Sequence, residues 1–65
     1  MDILSEDADG IRIMKLNRPP SNALSLALLM DLSGRLARAG EERGVRGVIL
    51  ASEIPKYFSS GLDLE

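Results

Sequence analysis

Two adjacent prolines, Pro19 and Pro20, constrain this chain more than any other feature. Neither can donate a backbone hydrogen bond, and each pushes the residue before it toward extended geometry. The segment Asn17–Asn22 (NRPPSN) is therefore a compulsory break in regular structure. Hydrophobic patterning differs on its two sides. Before it, Ile11–Leu16 has Ile11 and Ile13 on one face and Arg12 and Met14 on the other, as a strand requires. Leu16 departs from strict alternation, so the second face is partly apolar. After it, Leu28, Leu29, Leu32, Leu36 and Ala39 recur at three- and four-residue spacing, which predicts a helix over Leu26–Glu42 with Ser25 as its N-cap. Asp31, Arg35, Arg38 and Glu42 fill much of the opposite surface.

The remaining elements follow from the same patterning. Ile3-Leu4-Ser5-Glu6, a turn at Asp7-Ala8-Asp9-Gly10 and Ile11–Leu16 read as a β-hairpin, with Gly10 free to take positive φ. Gly34 inside the helix costs about 1 kcal/mol relative to Ala and could allow close packing. Gly40 or Gly44 could end the helix. Val45–Ser52 reads as a strand. Its run Val48-Ile49-Leu50-Ala51 suits a strand buried on both faces. Strand, helix, strand predicts a right-handed βαβ crossover, hence an α/β fold made of a β-hairpin plus βαβ.

Composition limits what this unit can be. The chain has 65 residues, 45% hydrophobic and 28% charged, with a net charge of −2. That is a globular composition for one small domain at most. Cys and His are absent, which removes disulfides, thiolate metal sites and the commonest neutral-pH acid/base. Basic residues are dispersed without interleaved aromatics, against nucleic-acid binding. No apolar run approaches the ~20 residues of a membrane span. The acidic start Met1–Asp7 lacks the basic region of a secretory signal, so the cytoplasm is the expected compartment. A three-strand sheet with one helix leaves edges open, and the chain reads as part of a larger fold.

Chemistry is concentrated in Ser59-Ser60-Gly61-Leu62-Asp63. After a buried parallel strand, this loop falls near the strand's carboxyl end, where α/β sheets bind ligands. Gly61 lets the backbone approach a ligand, and the Leu62 N–H could then point into a pocket and stabilise negative charge developing on a ligand oxygen. On these residues alone, a surface turn is the stronger reading, and Asn17–Leu26 reads first as a connector. Asp63 fits an acid/base less well than a residue that bonds nearby backbone amides and holds the loop. Glu6, Asp7, Asp9, Asp31, Glu41, Glu42, Glu53 and Glu65 read as solvated surface. Ser59 and Ser60 lack a His base and are not nucleophiles. Gly40, Gly44 and Gly47 straddle a helix end and do not make a dinucleotide loop.

Three segments in order resemble one family. Asn17–Ser25 (NRPPSNALS) looks like the crotonase-superfamily loop N-x-P-x-x-N-A-L-S. Arg46–Ser52 (RGVILAS) looks like the core strand that follows it. Tyr57–Leu64 (YFSSGLDL) looks like the F-[SAC]-[AS]-G-x-D-[LI] segment. The double proline and the S-x-G-L-D-L ending are similar to the Δ3,Δ2-enoyl-CoA isomerase branch.

The resemblance implies that residues 1–65 are the N-terminal fragment of a single crotonase-like domain with a ββα spiral fold, trimeric or a dimer of trimers. It implies an enzyme of fatty acid oxidation that shifts the double bond of 3-enoyl-CoA to 2-enoyl-CoA through an oxyanion-stabilised thioester enolate. No separate cofactor is implied, because CoA is part of the substrate. Leu62 would give one of two oxyanion-hole N–H groups. Ser21, Ala23, Ser60, Gly61, Leu62 and Asp63 would line the substrate, with Ser60 at the CoA adenine. Ser21 stands where some relatives have a basic residue, against a phosphate contact there. The second N–H and the catalytic glutamate match no residue here, so the chain alone is expected to be inactive. An enoyl-CoA hydratase and a non-catalytic βαβ module binding CoA or protein are the alternatives.

Overall fold

The computed structural model describes residues 2–64. Four elements follow one another: β1 (Ile3–Ala8), β2 (Ile11–Leu16), α1 (Leu26–Glu41) and β3 (Gly47–Ser52). Glu65 lies outside the described residues, and so does Met1.

β1 and β2 pair antiparallel from Ile3↔Leu16 to Ala8↔Ile11. Only Asp9 and Gly10 lie between them, at φ 52° and 82°. Both central residues of a tight type I′ hairpin need positive φ, which Asp tolerates and Gly adopts freely. The turn is thus narrower than the four residues expected from sequence, and Asp7 and Ala8 belong to β1. A Cβ on Gly10 would stand 3.2 Å from the Gly44 carbonyl oxygen, so this glycine also admits a close approach.

β2 and β3 pair in parallel, Ile11↔Gly47 to Leu16↔Ser52, with α1 between them in sequence. The strand order is β1-β2-β3. This is the expected hairpin plus βαβ. Registry sorts the side chains. Ile3, Met14 and Leu16 project to one face and pack with Leu28 and Ala39 of α1. Those five residues are the buried apolar core, with Leu24, Leu32 and Val45 against it.

Ser25 caps α1: its hydroxyl accepts the Leu28 N–H at 3.1 Å. The helix ends at Glu41, with Glu42 as C-cap, so neither Gly40 nor Gly44 is the stop. A Cβ on Gly34 would meet only the Arg38 guanidinium at 3.4 Å, so Gly34 does not serve close packing on the sheet.

β3 corrects a further expectation. Val48, Ile49 and Leu50 are exposed, where the apolar run was expected to be buried on both faces. The reason is position: β3 is an edge strand, and α1 packs on the β1–β2 side of one face. Ile11, Ile13, Ile49 and Ala51 share the other face, by registry.

Candidate active site

Two loops meet at the carboxyl ends of β2 and β3. The first runs from Asn17 to Ser25 and the second from Glu53 to Leu64. They are stitched by backbone. The Ser60 N–H donates to the Ser21 carbonyl at 2.9 Å, the Leu24 N–H to the Gly61 carbonyl at 2.8 Å, and the Asp63 N–H to the Leu24 carbonyl at 2.9 Å. The last two form an isolated parallel bridge between Leu24 and Leu62.

That bridge sets the direction of one donor. A trans peptide is planar, and its N–H points opposite to its C=O. The Gly61 carbonyl is held by Leu24, so the Leu62 N–H of the same peptide points away from the first loop. It donates to no other described residue, while the Leu62 side chain is 67% exposed. Gly61 sits at φ 111°, a conformation open to glycine and strained for other residues. A Cβ there would meet nothing within 4 Å, so backbone conformation and outward access, rather than crowding, are what require glycine.

Asn22 is the centre of the cross-links. It is fully buried, at 0% exposure, and has φ 56°. Its Oδ1 accepts the Arg18 N–H at 2.7 Å, and its Nδ2 donates to Ser52 Oγ at 2.8 Å and to the Phe58 carbonyl at 2.9 Å. Its carbonyl accepts from Ser59 Oγ at 2.8 Å, and that hydroxyl accepts the Gly61 N–H at 3.1 Å. One side chain thus ties the proline loop to the end of β3 and to the glycine loop. A buried amide with its polar atoms satisfied rigidifies what it joins.

All six residues assigned from sequence come together here. Ser21 and Ser60 pair directly, with Ser21 Oγ donating to Ser60 Oγ at 2.9 Å. The Ala23 carbonyl accepts from Arg18 Nη1 at 2.6 Å. The same guanidinium lies 2.9 Å from the Asp63 carboxylate. Asp63 thus has a guanidinium as a charged partner, which links the two loops. Asn22 and Arg18 stand out only in three dimensions. The sequence signals for Asn22 were its type, since Asn tolerates positive φ better than most residues, and its place in the N-x-P-x-x-N-A-L-S resemblance. Among the described residues, no cluster of His, Cys, Asp or Glu could hold a metal ion.

Comparisons with known proteins agree on one family. Residues 6–65 match the family model described as enoyl-CoA hydratase/isomerase. Mouse mitochondrial enoyl-CoA delta isomerase 1 is 45% identical over 60 residues, 92% of this chain and 21% of the relative. The crystal structure of human mitochondrial Δ3-Δ2-enoyl-CoA isomerase superposes with a TM-score of 0.90 at 40% identity, covering 97% of this chain and 25% of that one. Enoyl-CoA hydratase from Mycobacterium tuberculosis gives a TM-score of 0.90 at 37% identity, covering 98% and 29%. The chain thus spans about a fifth of the length of the mouse relative.

Proposed function

The chain belongs to the enoyl-CoA hydratase/isomerase family, and from that premise we propose that it supplies the thioester-facing loop of an enzyme that converts 3-enoyl-CoA to 2-enoyl-CoA. Residues 1–65 are, in this reading, the N-terminal part of one crotonase-like domain. The observation that carries the proposal is the Leu62 N–H, aimed outward by the Gly61–Leu24 hydrogen bond and without a partner among the described residues. A thioester oxygen gains negative charge as the adjacent carbon loses its proton. A fixed backbone donor stabilises that charge without reorganising during the reaction. In the shift, a base removes a proton from C2, the electrons spread over the thioester dienolate, and a proton returns at C4. This chain contributes the oxygen's donor. The base and the second donor are assigned to other segments.

The same geometry narrows the CoA contacts. The Ser60 N–H is committed to Ser21, so its carbonyl oxygen is the backbone atom left to accept from an adenine amino group. Arg18 is engaged by Asp63 and the Ala23 carbonyl. Ser21 offers a hydroxyl, already shared with Ser60, and no charge for a phosphate.

The isomerase reading is preferred to the hydratase reading because the mouse relative is an isomerase at 45% identity. A probable enoyl-CoA hydratase of Bacillus subtilis, at 34%, supports the alternative. A trimeric assembly and a role in fatty acid oxidation belong to the same proposal. The expected cytoplasmic compartment is a proposal for cell fractionation to test, since the mouse and human relatives are named as mitochondrial. Among the described residues no helix is long and apolar enough to cross a membrane.

The test is kinetic, on the enzyme that contains this segment. Leu62→Pro deletes the N–H and no hydrogen bond seen in the structure. Loss of one oxyanion donor costs about 100- to 1,000-fold in kcat. Product analysis with 3-enoyl-CoA should show 2-enoyl-CoA without added water. Full activity of the Pro variant would remove Leu62 from the chemistry, and a hydrated main product would favour the hydratase reading.

A further inference from the structure

We propose that Asn22 is the positioning residue that aims the Leu62 N–H, so that the donor's direction is set from the opposite loop by a buried amide. This rests on the thioester-facing reading of Leu62, and it extends that reading from the donor to what fixes it.

The argument follows the hydrogen bonds. The direction of the Leu62 N–H is fixed by its own peptide plane, and that plane begins at Gly61. Gly61 is gripped at both ends: its N–H donates to Ser59 Oγ at 3.1 Å, and its carbonyl accepts from Leu24 at 2.8 Å. Both grips lead back to Asn22. Ser59 Oγ donates to the Asn22 carbonyl, and Leu24 is two residues along from Asn22 in the same loop. The Asn22 side chain fixes that loop against Ser52 Oγ and the Phe58 carbonyl, one residue before Ser59. Without the Ser59 and Asn22 links, Gly61 keeps only the Leu24 hydrogen bond on its carbonyl. It is a glycine with no contact within 4 Å of its missing Cβ, so packing would not hold it.

The alternative is that Asn22 merely stabilises the fold. Its burial and complete hydrogen bonding fit that role too, since cutting such a network destabilises a small domain. The two roles differ in what else moves. A stabiliser acts on the whole domain, whereas a positioning residue changes the orientation of one amide while the hairpin and helix stay as they are.

The experiment measures amide residual dipolar couplings in the ligand-free enzyme that contains this segment, for wild type, Asn22→Gly, Ser59→Ala and Ala39→Gly. Glycine at position 22 keeps the positive φ accessible and removes only the side-chain links. Ser59→Ala removes the hydroxyl that links the Asn22 carbonyl to the Gly61 N–H and leaves the Asn22 side-chain bonds in place, so it tests that relay if Asn22→Gly does not fold. Ala39→Gly weakens the buried side of α1, far from the loops in sequence. In Asn22→Gly and Ser59→Ala, the Leu62 coupling should depart from its wild-type value while those of β1, β2 and α1 do not. Ala39→Gly should leave Leu62 unchanged. Acetoacetyl-CoA, a thioester whose enolate absorbs in the near ultraviolet, should then bind each loop variant about tenfold more weakly with less enolate formed. An unchanged Leu62 coupling in the loop variants, or an equal change in Ala39→Gly, would overturn the proposal. Absence of acetoacetyl-CoA binding by wild type would instead remove the thioester reading, and the couplings would still decide the role of Asn22.

Discussion

Gly61 and Asn22 both take positive φ, at 111° and 56°, as Lys56 of the second loop does at 70°. Gly61 and Asn22 reach it by different means. Gly61 needs no compensation, because it has no Cβ to clash. Asn22 is compensated by its hydrogen bonds to Arg18, Ser52, Phe58 and Ser59. Gly61→Ala should therefore destabilise by about 1–3 kcal/mol through backbone strain alone. Gly40→Ala, in the helix and equally uncrowded, should stabilise by up to about 1 kcal/mol. Urea unfolding of the two variants checks the contrast, and equal effects would mean that φ at Gly61 costs nothing. Gly61 and Leu62 stand out in the sequence through the resemblance of Tyr57–Leu64 to a family segment, since the residues alone read first as a surface turn. The cross-links of Asn22 do not stand out there. Its importance comes from Ser52 and Phe58, 30 and 36 positions away, and beside two prolines it reads as part of a connector.

The elements were mostly legible, and their limits were not. β1 runs through Asp7 and Ala8 because the hairpin closes on two residues. Asp7-Ala8-Asp9-Gly10 reads from sequence as a four-residue turn, since nothing in Asp7 and Ala8 signals pairing with β2. What holds its end is Arg12, which meets Asp7 at 2.8 Å and Glu42 at 2.7 Å and so joins the hairpin to the C-cap of α1. Hydrogen bonds from Arg12 hold the Asp7 and Glu42 carboxyls below the usual carboxylate range. Their folded pKa values are lowered, so their stabilisation is fully present above that range and fades as pH falls through the lowered values. The two carboxylates are about half exposed while the Arg12 side chain is only 17% exposed, and pairs with such exposed partners are weak and salt-sensitive. At low ionic strength, the thermal midpoint of wild type should fall between pH 7 and pH 3 more steeply than that of Arg12→Met. Parallel curves for the two proteins would show that the pairs do not contribute.

At the scale of the molecule, the α/β topology was readable because its parts are local: an alternating strand, a capped helical stripe and a β-branched run. Burial of the last was not readable, because it depends on what lies beside β3. Here Val48, Ile49 and Leu50 are exposed on the edge strand, and Tyr57 and Phe58 are exposed on the following loop. The same arrangement superposes on a quarter of the human isomerase at a TM-score of 0.90. The two loops that make the site are tied across the open end of the β2–β3 pair by Asn22, the Leu24–Leu62 bridge and the Arg18–Asp63 ion pair. A donor built this way has its direction before any substrate arrives. The amide proton of Leu62, followed by NMR as ligand is added, tests that claim most directly. Acetoacetyl-CoA should move it strongly downfield, while S-ethyl-CoA, a thioether without the carbonyl oxygen, should leave it nearly in place. An equal response to both ligands, or none to the thioester, would contradict the assignment of Leu62 as the thioester's hydrogen-bond donor.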